Sequence, residues 1–195
     1  MKFKDILHSI ILENYELEEL GTKEKDVYGA GVTHQIYKAE HSGNLLYKTG
    51  PKGYVDQWYD IFKNNPKYFP IVHKRGNLKK GWDYVGVERL DTQRVKKEWA
   101  YLEEKLTDIG FIDEDNMGDI DSIFNVIVNH DDVQYESDII NKLKTYDKKA
   151  ASLFLKWTNF LSIVKSIVSK VKPRLDLHIG NFGYSPKGEM KCLDI

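Results

Sequence analysis

Cysteine is nearly absent from this 195-residue chain. Cys192 is the only one, so no internal disulfide exists, and no Cys/His set has zinc spacing. A charge excess of one sign is missing too: 29 Lys and Arg stand against 30 Asp and Glu, a formal −1. That balance argues against broad adhesion to nucleic acid or to an anionic membrane. No apolar run approaches the ~18 residues that span a bilayer. The short run Ile6–Leu12 is broken by His8 and Ser9, so no secretory core is read at the N-terminus. Repeats and low-complexity linkers are also lacking. The expectation is a protein of a reducing compartment, with no membrane partner and with nucleic acid disfavoured.

What is present is core-forming material. Hydrophobic residues make up 41% of the chain and aromatic ones 12%, which excludes disorder as the main state. The length fits one domain, or two small lobes sharing a cleft. Apolar spacing at Ile6, Ile10, Ile11 and Tyr15 predicts an amphipathic helix over Phe3–Leu20. A glycine-bearing turn at Val27–Val32 precedes a hairpin of Ile36–Glu40 and Leu45–Lys48. Gly50–Gly53 breaks the chain before a helix over Tyr54–Lys63. Phe69–His73 and Tyr84–Arg89 read as a strand pair joined by a polar loop, Lys74–Trp82. Thr92 is a suitable N-cap for a helix over Val95–Leu106. Ser137–Leu143 reads as a short helix, Lys148–Val171 as a long one closed by Pro173, and Phe182–Leu193 as a hairpin around Ser185–Gly188. The fold class expected is α+β: a strand-rich N-terminal part, a helical part, and a terminal β-hairpin.

The strongest chemical signal is near the C-terminus, in Asp176-Leu177-His178-Ile179-Gly180-Asn181 and again in Leu193-Asp194. A hairpin that leaves Asn181 and returns to Asp194 brings its two ends side by side. A carboxylate and an amide oxygen held together suit a hard divalent cation. Asp176, a few residues earlier, is within reach of a hydroxyl nucleophile beside that metal. Taken alone, the same string also reads as a polar loop stopped by Gly180.

This constellation resembles the catalytic and metal-binding loops of the protein-kinase-like superfamily, and its D-x-H-x-x-N form is closer to aminoglycoside- and choline-type phosphotransferases and to small bacteriophage-encoded serine/threonine kinases than to other protein kinases. The resemblance implies that Asp176 positions the acceptor hydroxyl, with His178 bracing the loop or touching the transferred group. It implies that Asn181 and Asp194 hold Mg2+. Gly29 and Gly31 resemble the glycine-rich loop over ATP, and Lys48 the lysine on its α and β phosphates. Val85–Leu90 resembles the strand entering the hinge, which places Glu88 and Leu90 beside adenine. The implied architecture is an N-lobe over Val27–Leu90, a reduced helical C-lobe over Asp91–Ile195, and ATP-Mg between them, with residues 1–26 as a helical extension.

The sequence departs from the family pattern in several places. Thr33 and His34 stand where a third glycine is usual, and Arg174 is not adjacent to Asp176. The helix after Lys48 offers Asp56 and Asp60 in place of a glutamate, with Asp60 the favoured partner and a solvent-facing position of either the alternative. The sequence ends one residue after Asp194, so control by an activation segment is not expected. The function implied is phosphate transfer from ATP to a host protein in the host cytoplasm. The alternatives are a pseudokinase that binds and recruits or inhibits a host factor, and a small-molecule hydroxyl phosphotransferase.

Two charged stretches carry less. Between Phe111 and Asn141 lie nine acidic residues and no Lys or Arg. That stretch reads as a solvated face, or else as a dock for a basic partner. The cations Lys74-Arg75 and Lys79-Lys80 read as a solvated turn.

Overall fold

The computed structural model of the chain describes residues 27–30, 35–38, 45–78, 81–112, 133–171 and 179–194. The predicted N-terminal helix, the acidic stretch from Asp113 to Asp132, and the loop from Lys172 to His178 lie outside the described residues. The fold is mixed α and β with a small antiparallel sheet. Among the described residues no helix is long and apolar enough to cross a membrane. The chain divides into two units at Arg89/Leu90.

The first unit is built on five antiparallel strands: β1 (Val27–Ala30), β2 (Gln35–Lys38), β3 (Leu45–Pro51), β4 (Val72–Asn77) and β5 (Trp82–Glu88), in the order β1-β2-β3-β5-β4. Helix α1 (Lys52–Asn64) follows β3 directly. Its buried residues Val55, Trp58, Ile61 and Phe62 recur at helical spacing and form one apolar stripe. Asn65 ends the helix: its backbone N–H and its side-chain amide both donate to the Ile61 carbonyl, at 3.1 and 2.9 Å. Phe69 is then fully buried and stacks on Phe62, ring centroids 5.4 Å apart.

Several expected boundaries are corrected here. Val27–Ala30 is a strand, although Gly29 lies within it, because β2 supplies pairing partners; the register shifts between Val27 and Gly29. Gly50 and Pro51 do not break the chain before the helix, since they pair with Asp83 and Trp82 as the end of β3. Phe69 belongs to a turn packed under α1, and β4 begins only at Val72. Lys74 and Arg75 are strand residues on the sheet edge rather than loop residues, and charge on an edge strand discourages further pairing. Gly86 admits this arrangement, because a Cβ there would lie 3.0 Å from Lys74 and 3.1 Å from the Tyr47 ring on the flanking strands.

The second unit holds α2 (Thr92–Asp108), α3 (Val133–Tyr146), α4 (Lys148–Val168), a short 3-10 turn (Ile179–Asn181), and the hairpin β6 (Phe182–Tyr184) with β7 (Met190–Cys192). Asp91, not Thr92, caps α2, its carboxylate accepting from the N–H groups of Gln93 and Arg94 at 3.0 and 3.1 Å. Asp147 caps α4 in the same manner. The long helix ends at Val168, three residues before the expected stop, and Leu155 on it is exposed.

Aromatic packing fixes the hairpin on the helices. Trp157 meets Trp99, Phe182 and Phe160 edge-on at centroid distances of 5.2, 5.8 and 6.2 Å. Asp91 also exchanges two backbone hydrogen bonds with Tyr184, tying the start of α2 to β6. Gly183 lies against Leu90, where a Cβ would come within 2.5 Å of the Leu90 Cβ. Gly183→Ala is therefore expected to cost about 1–3 kcal/mol through overpacking, read as a lower urea midpoint for the second unit. An unchanged midpoint would mean that Leu90 does not sit on this glycine.

Candidate functional site

Lys48 lies mid-way along β3, paired with Ile36 on one side and Val85 on the other. The side chain is fully buried, with Nζ 4.1 Å from the centroid of the Trp58 ring and 5.8 Å from that of Phe62. Burying an ammonium is costly, and an aromatic face offsets part of that cost through its negative quadrupole. Trp58 and Phe62 are four residues apart on α1, so one stripe of that helix both fills the core and supplies the ring under the lysine.

The aspartates of α1 do other work. Asp56 is ion-paired with Arg75, whose guanidinium also lies 4.8 Å from the Tyr59 ring. Asp60 is exposed to solvent. The favoured pairing of Lys48 with Asp60 is thus corrected: helical geometry turns Trp58, two residues earlier, to the buried side instead.

Glu88 is the last residue of β5, and Leu90 lies two residues beyond it. Glu88 is buried at the end of β5. Its carboxylate accepts from the Ile71 N–H at 2.9 Å, and its own N–H donates to the Ile71 carbonyl at 3.0 Å. Its side chain therefore fastens the entry to β4. Leu90 is buried in the second unit against Gly183. Gly29 lies in β1 opposite Ile36, and Gly31 lies outside the described residues.

In the second unit the hairpin joins Asn181 to the segment carrying Asp194. Phe182 pairs with Cys192, and one step further out the Leu193 N–H donates to the Asn181 carbonyl at 2.6 Å. Asn181 thus opposes Leu193, with Asp194 the next residue along. The Asp194 carbonyl accepts from the Cys192 Sγ–H at 2.8 Å. Asn181 is buried and Asp194 half-buried. Asp176 and His178 lie outside the described residues.

The donor chemistry of Asn181 and Asp194 fits magnesium. One carboxylate and one amide oxygen are hard ligands, and magnesium ordinarily completes its shell with waters and phosphate oxygens. Among the described residues no cluster of three or more His, Cys, Asp or Glu has the arrangement of a self-sufficient metal site.

One polar network escapes sequence reasoning. The Tyr184 hydroxyl donates to Glu98 at 2.5 Å and accepts from the Lys156 ammonium at 2.6 Å. Trp157 Nε1 donates to the same Glu98 oxygen at 3.2 Å. The Arg94 guanidinium lies 3.8 Å from the Tyr184 ring centroid. Burial, followed by the bond to Glu98, raises the Tyr184 hydroxyl above its ordinary pKa, so it stays a donor. The i,i+4 spacing of Arg94 and Glu98 is visible in the sequence, but nothing local connects it to Tyr184.

No model of a known protein family matches the chain, and no curated protein matches it either.

Proposed function

We propose that the chain is an ATP- and magnesium-dependent phosphotransferase of the protein-kinase-like type, with a serine or threonine hydroxyl of a host protein as acceptor. The observation that carries the reading is the hairpin whose backbone hydrogen bond holds Asn181 opposite the segment bearing Asp194. Support comes from a buried lysine on the inner strand of a five-stranded antiparallel sheet, followed by a packed helix. The order sheet, helices, loop, hairpin is the one that the resemblance implies.

In this reading the Lys48 ammonium neutralises the α and β phosphate oxygens. Asn181 and Asp194 would hold magnesium, which when bound would supply charge neutralisation at the phosphates. Asp176 orients the acceptor hydroxyl and takes its proton as the oxygen bonds to the γ-phosphorus. The bond from that phosphorus to the β–γ bridging oxygen breaks, and ADP leaves. Positioning and charge neutralisation supply most of the acceleration.

The aspartates of α1 favour a second reading, a pseudokinase. Asp56 is ion-paired with Arg75 and Asp60 is in solvent, so neither takes the place of the glutamate that the resemblance expects on this helix. A helix without that glutamate suits nucleotide binding without transfer. Incubation with γ-labelled ATP, magnesium and host lysate separates the two. The enzyme reading predicts labelled protein that is lost in Asp176→Ala. ATP-dependent thermal stabilisation with no labelled protein supports the pseudokinase, and label only on small molecules supports the third alternative.

A further inference from the structure

Helices α2 and α4 of the second unit run antiparallel. Arg94 and Lys156 share the Tyr184 ring at one end, and Lys149 lies 4.6 Å from the Tyr101 ring at the other. Between them is a groove of about 520 Å³, a volume typical of ligand sites. Its walls carry Arg94 and Lys97 from α2 and Lys149 and Lys156 from α4, with Tyr101 and Leu153 among them. The chain as a whole has a formal charge of −1, so this concentration of cations is local.

Among the described residues Glu98 is the one carboxylate lining the groove, and its bonds are already committed. One oxygen accepts from Tyr184 and Trp157, and the other lies 3.4 Å from Arg94 Nε. The bonds of Asp147, beyond the far end of the groove, are committed as well: it accepts from the Tyr101 hydroxyl and the Lys149 and Ala150 N–H groups. Tyr184, which seats Arg94 and Lys156, is itself buried. The cationic end of the groove is therefore built on a fixed hydrogen-bonded base. Desolvation, with the neighbouring charge of Arg94, lowers the Lys156 pKa against the pull of Glu98, and an arriving anion would relieve that stress.

The placement of the cations selects among anions. Positions 94, 97 and 101 form one helical stripe, and 149, 153 and 156 form the facing one. Seven residues of helix span roughly 10 Å. A lone phosphate is best held by donors converging on a point. Here the cations are strung along the groove, with an apolar side chain and an aromatic ring between them. That spacing matches successive carboxylates on a polypeptide, with their methylenes on Leu153 and Tyr101.

We propose that the α2–α4 groove binds an acidic peptide segment of a protein partner, its carboxylates meeting Arg94, Lys97, Lys149 and Lys156. This holds whether or not the chain transfers phosphate. The test is fluorescence anisotropy of the full chain with a labelled, end-capped peptide of alternating Glu and Ala, and with its Gln counterpart. Saturable binding of the Glu peptide alone is expected, weakened roughly tenfold in Lys97→Glu/Lys149→Glu and weakened by added salt. Lys142→Glu/Lys144→Glu, which reverses two exposed lysines on α3, should leave it unchanged. The inference is overturned by equal loss in both double variants, by no loss in the groove variant, or by a Gln peptide that binds as well. Pyrophosphate that displaces the peptide at equimolar concentration would assign the groove to a small anion and would likewise overturn it. Should the groove variant fail to fold, Lys97→Gln and Lys149→Gln tested singly read the same dependence.

Discussion

Alanine at Asp194 is expected to slow phosphate transfer by about 10²–10³-fold, the usual cost of removing one charged group that stabilises a transition state. Asp194 would supply the charged ligand of the proposed magnesium site, so its loss weakens both metal binding and charge neutralisation. Asn181→Ala removes a neutral donor, and a smaller loss, nearer tenfold to a hundredfold, is expected. Both losses should shrink as magnesium is raised, because added metal refills a weakened site. Initial rates across a magnesium series are the measurement. Asp194 is half-buried at the end of the hairpin, so the unfolding midpoint should change little. An undiminished rate with the same magnesium curve would remove Asp194 from the metal site.

Trp157→Ala is expected to cost about 3–5 kcal/mol, the range for emptying a large aromatic site in a core. Trp157 is fully buried and touches the rings of Trp99, Phe160 and Phe182, so its loss leaves a cavity at the junction of α2, α4 and β6. The Glu98 oxygen also loses a donor. A fall in melting temperature on the order of ten degrees follows for a chain of this size. Trp157→Phe should retain most of the stability, since the ring is kept and only the indole hydrogen bond is lost. Transfer should fall with the alanine variant as well, because β6 loses the packing that seats Asn181. A melting temperature within two or three degrees of the parent would mean that the hairpin is held by something other than this aromatic cluster.

The parts of the fold that were legible in the sequence are those specified locally. The hairpin of β6 and β7 is marked by Ser185-Pro186-Lys187-Gly188, and Gly188 adopts φ of +80°, a left-handed value that favours glycine. Helices α1, α2 and α4 are marked by apolar spacing, and their ends missed by only a few residues. The ends were missed where two residues can serve the same role, as Asp91 and Thr92 can at an N-cap.

What was not legible depends on distant partners. Gly50 and Pro51 look like a chain break until Asp83 and Trp82 are seen pairing with them. Lys74 and Arg75 look like loop residues because an edge strand lacks clear alternation. Among the candidate site residues, the adjacency of Asn181 and the Asp194 segment follows from hairpin geometry and could be reasoned from sequence. The surroundings of Lys48 could not. A search for a carboxylate at helical spacing points to Asp56 or Asp60, whereas the buried stripe of α1 presents Trp58. The cations of the α2–α4 groove are likewise scattered over more than sixty positions, and only helix packing collects them.

Calorimetric titration of ATP into the full chain, with magnesium and again with EDTA, tests most directly the proposal that Lys48 binds phosphate and that Asn181 and Asp194 bind magnesium. Magnesium is expected to tighten ATP binding in the parent protein. Asn181→Ala/Asp194→Ala should lose that gain while keeping the metal-free affinity, and Lys48→Met should weaken binding under both conditions. Absence of ATP binding by the folded parent, or binding that magnesium and all three substitutions leave unchanged, would contradict it.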